Sequence, residues 1–189
     1  MSELYQKVEQ FVVKSFKKAG KKPYQIKHFK RTVYWLKQLK PDAGEALLIS
    51  AIAHDIERAF RQKDLIEKKR TARWSANEFL RPHEERGAEI IAEFLKNEGA
   101  TPELVERVKM LISKHEEGGN EDQNLLKDAD SISFFENNVA HFLDKYVRED
   151  GKEKVREKFD WMYTRITSEK AKQIATAWYE KAIKDLEII

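Results

Sequence analysis

The chain contains no cysteine, which removes disulfides, thiolate metal sites and cysteine nucleophiles from consideration. Only 7 Gly and 4 Pro occur in 189 residues, a balance typical of a helix-rich globular chain and atypical of a disordered one. No apolar run approaches the roughly 20 residues that a membrane-spanning helix needs. The N-terminal stretch MSELYQKVEQFVVKSFKKAG carries charges throughout instead of the apolar centre of a signal peptide. A net charge of +3 gives little reason to expect a nucleic-acid partner. With 41% hydrophobic and 37% charged residues, the expectation is one globular, cytoplasmic domain without a membrane partner.

Helical periodicity is present nearly everywhere, and no convincing period-2 alternation interrupts it. Leu4, Val8, Phe11, Val12 and Phe16 predict a first amphipathic helix that stops near Gly20 and Pro23. Ile26, Phe29, Val33 and Leu36 predict a second, ended by Pro41. Residues 43–59 are apolar on every side between Ala46 and Ala53, the mark of a buried central helix. Pro82 predicts a break, followed by a helix over 83–99 closed by Gly99. Thr101 and Pro102 are start signals for a helix over 101–115. After a loop at 116–122, helices are expected over 123–136, 138–148, 152–166 and 168–187. The fold reading is all-α.

The charge is unevenly spread. Residues 58–81 hold eight basic groups (Arg58, Arg61, Lys63, Lys68, Lys69, Arg70, Arg73, Arg81) against Asp64, Glu67 and Glu78. That segment is +5 and the rest of the chain 3 − 5 = −2, so an anionic ligand has a local field to follow.

Four of the 5 histidines fall on apolar stripes. His28 precedes Thr32, Trp35 and Leu39. His54 continues from Leu47 and Ala51. His83 shares a face with Gly87, Ile90 and Phe94 in the first turn of its helix. His115 follows Leu104, Val108 and Leu111. Asp130 lies between Leu126 and Phe134, and Asp55 follows the apolar run ALLISAIA directly. A buried carboxylate without compensation costs several kcal/mol, on the order of a lost charge pair. No Lys or Arg stands in that run to neutralise Asp55. Neutral imidazoles with carboxylates are what divalent first-row metals accept. Adjacent helical residues diverge by about 100°, so His54 and Asp55 are not expected to offer one ion the same face. Asp55 is then placed to bridge two ions. His141 has no place in the pattern and reads as structural, and the aromatic residues crowding the C-terminal third read mostly as core.

In order, His28, His54-Asp55, His83, His115 and Asp130 resemble the HD-domain superfamily of metal-dependent phosphohydrolases. The resemblance covers about 24–136, with 137–189 as extra C-terminal packing helices on a single domain over 1–189. It implies an HD-domain helical bundle holding one or two divalent ions (Fe, Mn, Ni, Co, Zn or Mg). His28, His54, Asp55 and Asp130 would hold one, and His83 and His115 the second, with Asp55 bridging and central to catalysis. The implied activity is hydrolysis of a small phosphorylated substrate, a nucleotide or other phosphorylated metabolite, by metal-activated water. The same ligand set resembles the HD-domain mixed-valent diiron oxygenases, which cleave a C–C or C–P bond. A non-catalytic metal-binding regulatory module is the third reading. His115-Glu116 stands where many dinuclear members carry a His-His pair, and Asp128 is an alternative to Asp130 as the last ligand. Arg31, Arg58 and Lys127 are candidates for binding the substrate phosphate, and Glu57, Glu84 and Glu116 for orienting an imidazole.

Overall fold

A computed structural model describes residues 1–20, 23–61 and 77–189. Local signals account for most of its helix starts. Ser2 caps α1 (Glu3–Lys18), its hydroxyl accepting from the Tyr5 N–H at 3.1 Å, and Tyr5, Val8, Val12 and Phe16 form the buried stripe. Helix α2 (Pro23–Leu39) begins on proline, whose missing N–H would have had no helical partner there. Thr101 caps α5 (Pro102–Ile112), and Asn120 and Gln123 close a reciprocal capping box at the start of α6 (Glu121–Asn137). Ser168 caps the last helix, α9 (Glu169–Ile188). Between α6 and α9 lie α7 (139–150), which widens to a π turn at Phe142–Tyr146, and α8 (Lys152–Thr164).

Three boundaries depart from the sequence expectation, and each matters to the site. The central helix α3 (Glu45–Ala53) stops short of residue 59: the chain turns at His54 and Asp55 and resumes as a 3-10 turn, Ile56–Ala59. Helix α4 (Asn77–Asn97) is not broken at Pro82 but runs through it. Proline there lies within the first two turns, where the loss is a single backbone hydrogen bond. Helix α5 ends at Ile112, so His115 lies in the turns beyond it and not on the helix. Gly118, at φ 79°, reverses the chain toward α6 in a conformation that side chains with a Cβ avoid.

The helices pack into a single bundle with two apolar clusters. Helix α3 is the centre of the first, in contact with α1, α2, α5 and α6, and it is buried on all sides. Phe16, Phe29, Leu36, Ile52, Ile91, Leu111 and Leu126 fill this cluster. Fully burying one such side chain stabilises by about 1.5–3 kcal/mol. Ile132, Phe134, Phe135, Phe142, Phe159 and Met162 fill the second, between the end of α6 and helices α7, α8 and α9. Trp35 and Leu39 of α2 touch both. Among the described residues there is no strand, and no helix is long and apolar enough to cross a membrane.

Candidate metal centre

The four stripe histidines converge, each fixed by what its Nδ1 touches. His54 Nδ1 lies 3.0 Å from the Ala51 carbonyl oxygen, and His115 Nδ1 2.8 Å from that of Ile112. His83 Nδ1 lies 2.7 Å from Glu57 Oε2. Carbonyl and carboxylate oxygens only accept, so each of these contacts is a hydrogen bond when the proton is on Nδ1; Arg61 Nη2 also lies 3.1 Å from His83 Nδ1. Ser133 Oγ donates to the His28 carbonyl at 2.8 Å, and can therefore accept from His28 Nδ1 at 2.9 Å. In the neutral form all four rings then present an Nε2 lone pair, and all four residues are buried.

Those Nε2 atoms meet two carboxylates. Asp55 Oδ1 is 2.9 Å from His83 Nε2 and 3.9 Å from His115 Nε2, while its Oδ2 is 3.6 Å from His54 Nε2. Asp130 Oδ1 is 2.9 Å from His28 Nε2 and 3.4 Å from His54 Nε2. Two groups have ligand atoms all within 4.8 Å of one another, close enough to hold a metal ion: Asp55, His83, His115 and Glu116, and His28, His54 and Asp55. His54 and Asp55 share one group, so they do not diverge as expected of adjacent helical residues, while Asp55 alone belongs to both groups. Asp55 sits at φ −101°, ψ 17°, outside α geometry. Asp128 lies elsewhere, its oxygens accepting from the Thr167 and Ser168 N–H groups at 2.7 and 2.8 Å.

Burial disfavours charge on Asp55, yet Arg58 and His54 outweigh it and hold the carboxyl well below the usual range. Burial acts likewise on Asp130, and Arg165 and His54 outweigh it. Burial also opposes a charged His54, but Asp130 and Asp55 carry that imidazole up to about 9. For His115 burial prevails over Glu116, lowering it to about 4 and keeping the ring neutral at pH 7. Burial raises Glu84 to about 8. The buried Nε2 atoms of His54 and His115 have no hydrogen-bond partner. In their neutral form these rings aim Nε2 lone pairs at charged carboxylates, and the cluster could hold a cation. Four imidazoles with Asp55 and Asp130 are a donor set that fits a divalent first-row ion.

A cavity of about 270 Å³ opens onto His28, Asp55, Glu116 and Asp130. Tyr24, Phe134, Phe142 and Tyr146 supply aromatic wall, and Arg58, Arg61 and Lys158 supply positive charge. Arg58 Nε stands 2.9 Å from Asp55 Oδ1. Of the three residues expected to bind phosphate, Arg58 alone is among the described residues lining this cavity. Arg31 Nε donates to Glu136 at 2.7 Å and its guanidinium lies over the Tyr34 ring. Lys127 Nζ donates to Thr167 Oγ1 at 2.8 Å. Each is thus engaged by other partners. Of the basic segment, Lys63, Lys68, Lys69, Arg70 and Arg73 lie outside the described residues.

The orienting role expected of the neighbouring acids falls to Glu57, which accepts from His83 and is itself held by Arg61 and Arg86. Glu84 instead accepts from the Glu116 N–H at 2.8 Å. His141 packs against the Tyr24 and Tyr146 rings. Sequence reasoning missed Arg165, at the C-terminal end of α8. Its guanidinium donates to both Glu116 and Asp130, its Nε donates to Ser131 at 2.9 Å, and it lies over Trp161. No motif marks it. It lies 35 residues beyond Asp130, and only the packing of α8 brings it in.

A family model described as Domain of unknown function (DUF4202) matches residues 8–186, nearly the whole length, and the chain belongs to that family. No curated protein and no solved structure matches it.

Proposed function

We propose that this DUF4202 chain is a metal-dependent phosphohydrolase of the HD type, acting on a small phosphorylated metabolite. The observation that carries the proposal is the shared orientation of the rings. Four rings held through Nδ1 turn Nε2 toward two buried carboxylates, and two of those Nε2 atoms have no partner. Hydrogen bonds to the outer ring nitrogen are what metal-ligating histidines carry. His28, His54, Asp55 and Asp130 would hold one ion and His83 and His115 another, with one Asp55 oxygen toward each group. Bound divalent metal supplies an acidified water and offsets negative charge on phosphoryl oxygens.

The chain's own residues do the rest. Arg58, beside Asp55 and on the cavity wall, receives a phosphoryl oxygen by charge-assisted hydrogen bonding. Lys158, buried over the Trp161 ring, adds positive charge to the same cavity. Phe134 and Phe142 limit water and set the width available to the organic part of the substrate. At about 270 Å³ the space suits a metabolite and excludes a folded macromolecule.

The test is release of inorganic phosphate by metal-reconstituted protein from a panel of nucleotides, sugar phosphates and other monoesters. Turnover that disappears in H54A and D55A, both still folded by circular dichroism, is the expected result. A folded protein with two bound ions that releases no phosphate across the panel would overturn the reading.

A further inference from the structure

Glu116 and Asp130 are treated alike by one guanidinium. Arg165 takes Oδ2 of Asp130 through Nη2 and Oε2 of Glu116 through Nη1. The remaining oxygen of each carboxylate faces imidazole nitrogen: Asp130 Oδ1 toward His28 and His54, and Glu116 Oε1 toward His115 Nε2 at 3.8 Å. Glu116 is 6% exposed, and its ligand atom lies within 4.8 Å of those of Asp55, His83 and His115. An acidic cluster alone would not make a site. Here the unpartnered Nε2 of His115, on a residue that is 0% exposed, points into the same space.

We infer that Glu116 is a ligand of the second ion, and that Arg165 is the positioning residue that presents Glu116 and Asp130 to the two ions with one oxygen each. The inference rests on the metal reading above and goes beyond it. The position next to His115 contributes a carboxylate oxygen, so the second group offers two imidazoles and two carboxylates. A planar fork suits this task because it bonds two carboxylates at once in fixed directions, which an ammonium point charge does not. With Glu116 the second group matches the first, His28, His54, Asp55 and Asp130, in offering two imidazoles and two carboxylates, a donor set that divalent first-row ions such as manganese accept.

The experiment measures manganese stoichiometry and affinity by elemental analysis and equilibrium dialysis on wild type, E116Q, E116A and R165K, with H54A as a marker of the first group. E116Q keeps a hydrogen bond to Arg165 and serves where E116A fails to fold by circular dichroism. Expected are two ions in the wild type and loss of one ion, or about a 10- to 100-fold weaker second affinity, in the Glu116 variants. R165K should weaken both affinities by about 10-fold or more with the fold retained. H54A should lose the other ion and leave the Glu116-dependent one. Two ions with unchanged affinities in E116Q and E116A would overturn the inference and leave the metal reading standing. Tighter binding in R165K would show Arg165 competing with the ions, and would overturn its positioning role. A wild type that binds no manganese or other divalent ion would overturn both readings.

Discussion

At the residue scale, the histidines of the cluster differ in what holds them. His54 and His115 use backbone carbonyls three residues back, so their orientation follows from the local turn. His28 depends on a side chain, the Ser133 hydroxyl, that reaches it from another helix. S133A therefore removes the outer partner of one ring and leaves its Nε2 in place. Metal affinity should fall by about 10- to 100-fold, with the fold retained by circular dichroism and the metal-free protein destabilised by about 1–3 kcal/mol for the buried hydrogen bonds lost. Unchanged affinity in S133A would mean that packing against Phe29 and His54 alone orients the ring. R58A probes the opposite side of the cluster. Metal content should remain at the wild-type value while KM for a phosphorylated substrate rises by about 10-fold or more, the loss of one charge-assisted hydrogen bond. Steady-state kinetics at fixed metal checks this, and a kcat loss with KM unchanged would move Arg58 from substrate binding to the chemistry.

At the element scale, α6 decides what the neighbouring helices contribute. Its Glu136 accepts from Arg31 and Trp35 of α2 and stays ionised, since burial, which would raise its pKa, is outweighed by those hydrogen bonds and by the charge of Arg31. A carboxylate with a depressed folded pKa contributes stability above its unfolded value, and that contribution is lost as pH falls through the folded value. E136Q should therefore destabilise the protein at pH 7, with the difference from wild type closing on acidification below the normal glutamate range. Denaturant melts at several pH values read this, and a constant difference would assign the effect to shape and not to charge. Helix α8 is tied to the site through its core face: Phe159 is 0% exposed, and Arg165 follows at the helix end. F159A should cost about 3–5 kcal/mol in denaturant unfolding, and should also weaken metal binding by loosening Arg165. Much of this was legible from stripes alone. The apolar periodicity located His28, His83 and Asp130 on inward faces. The end of α3 at Ala53 was not legible, because a run as apolar as ALLISAIA continues into IERAF without a glycine or proline to stop it. Arg165 was not legible either. Its role depends on contacts 35 and 49 residues distant, which no local pattern encodes.

At the scale of the whole molecule, the cluster sits at the seam of the two apolar cores. Helix α6 passes from one to the other, with Leu126 and Ala129 in the first and Ile132, Phe134 and Phe135 in the second, and Asp130 lies at the crossing. His54, His83 and His115 reach the site from the first core, and Arg165 reaches it from the second. Ions held there would join elements from both halves and bind the folded state only, because the ligands are scattered from residue 28 to residue 130. Such linkage gives about 2.7 kcal/mol when free metal is a hundredfold above Kd. In a chain of this size that is about 5–10 °C in Tm. Adding the metal that the native protein retains should raise Tm by this amount, in a concentration-dependent way, and EDTA should reverse it. D55A, which removes the carboxylate shared by both ligand groups, should show a flat response to metal. It should also lie below wild type in EDTA, since Arg58 then keeps its charge without its carboxylate partner. A Tm that ignores both metal and EDTA in the wild type would mean that buried imidazolium–carboxylate pairs, and not ions, hold the seam together.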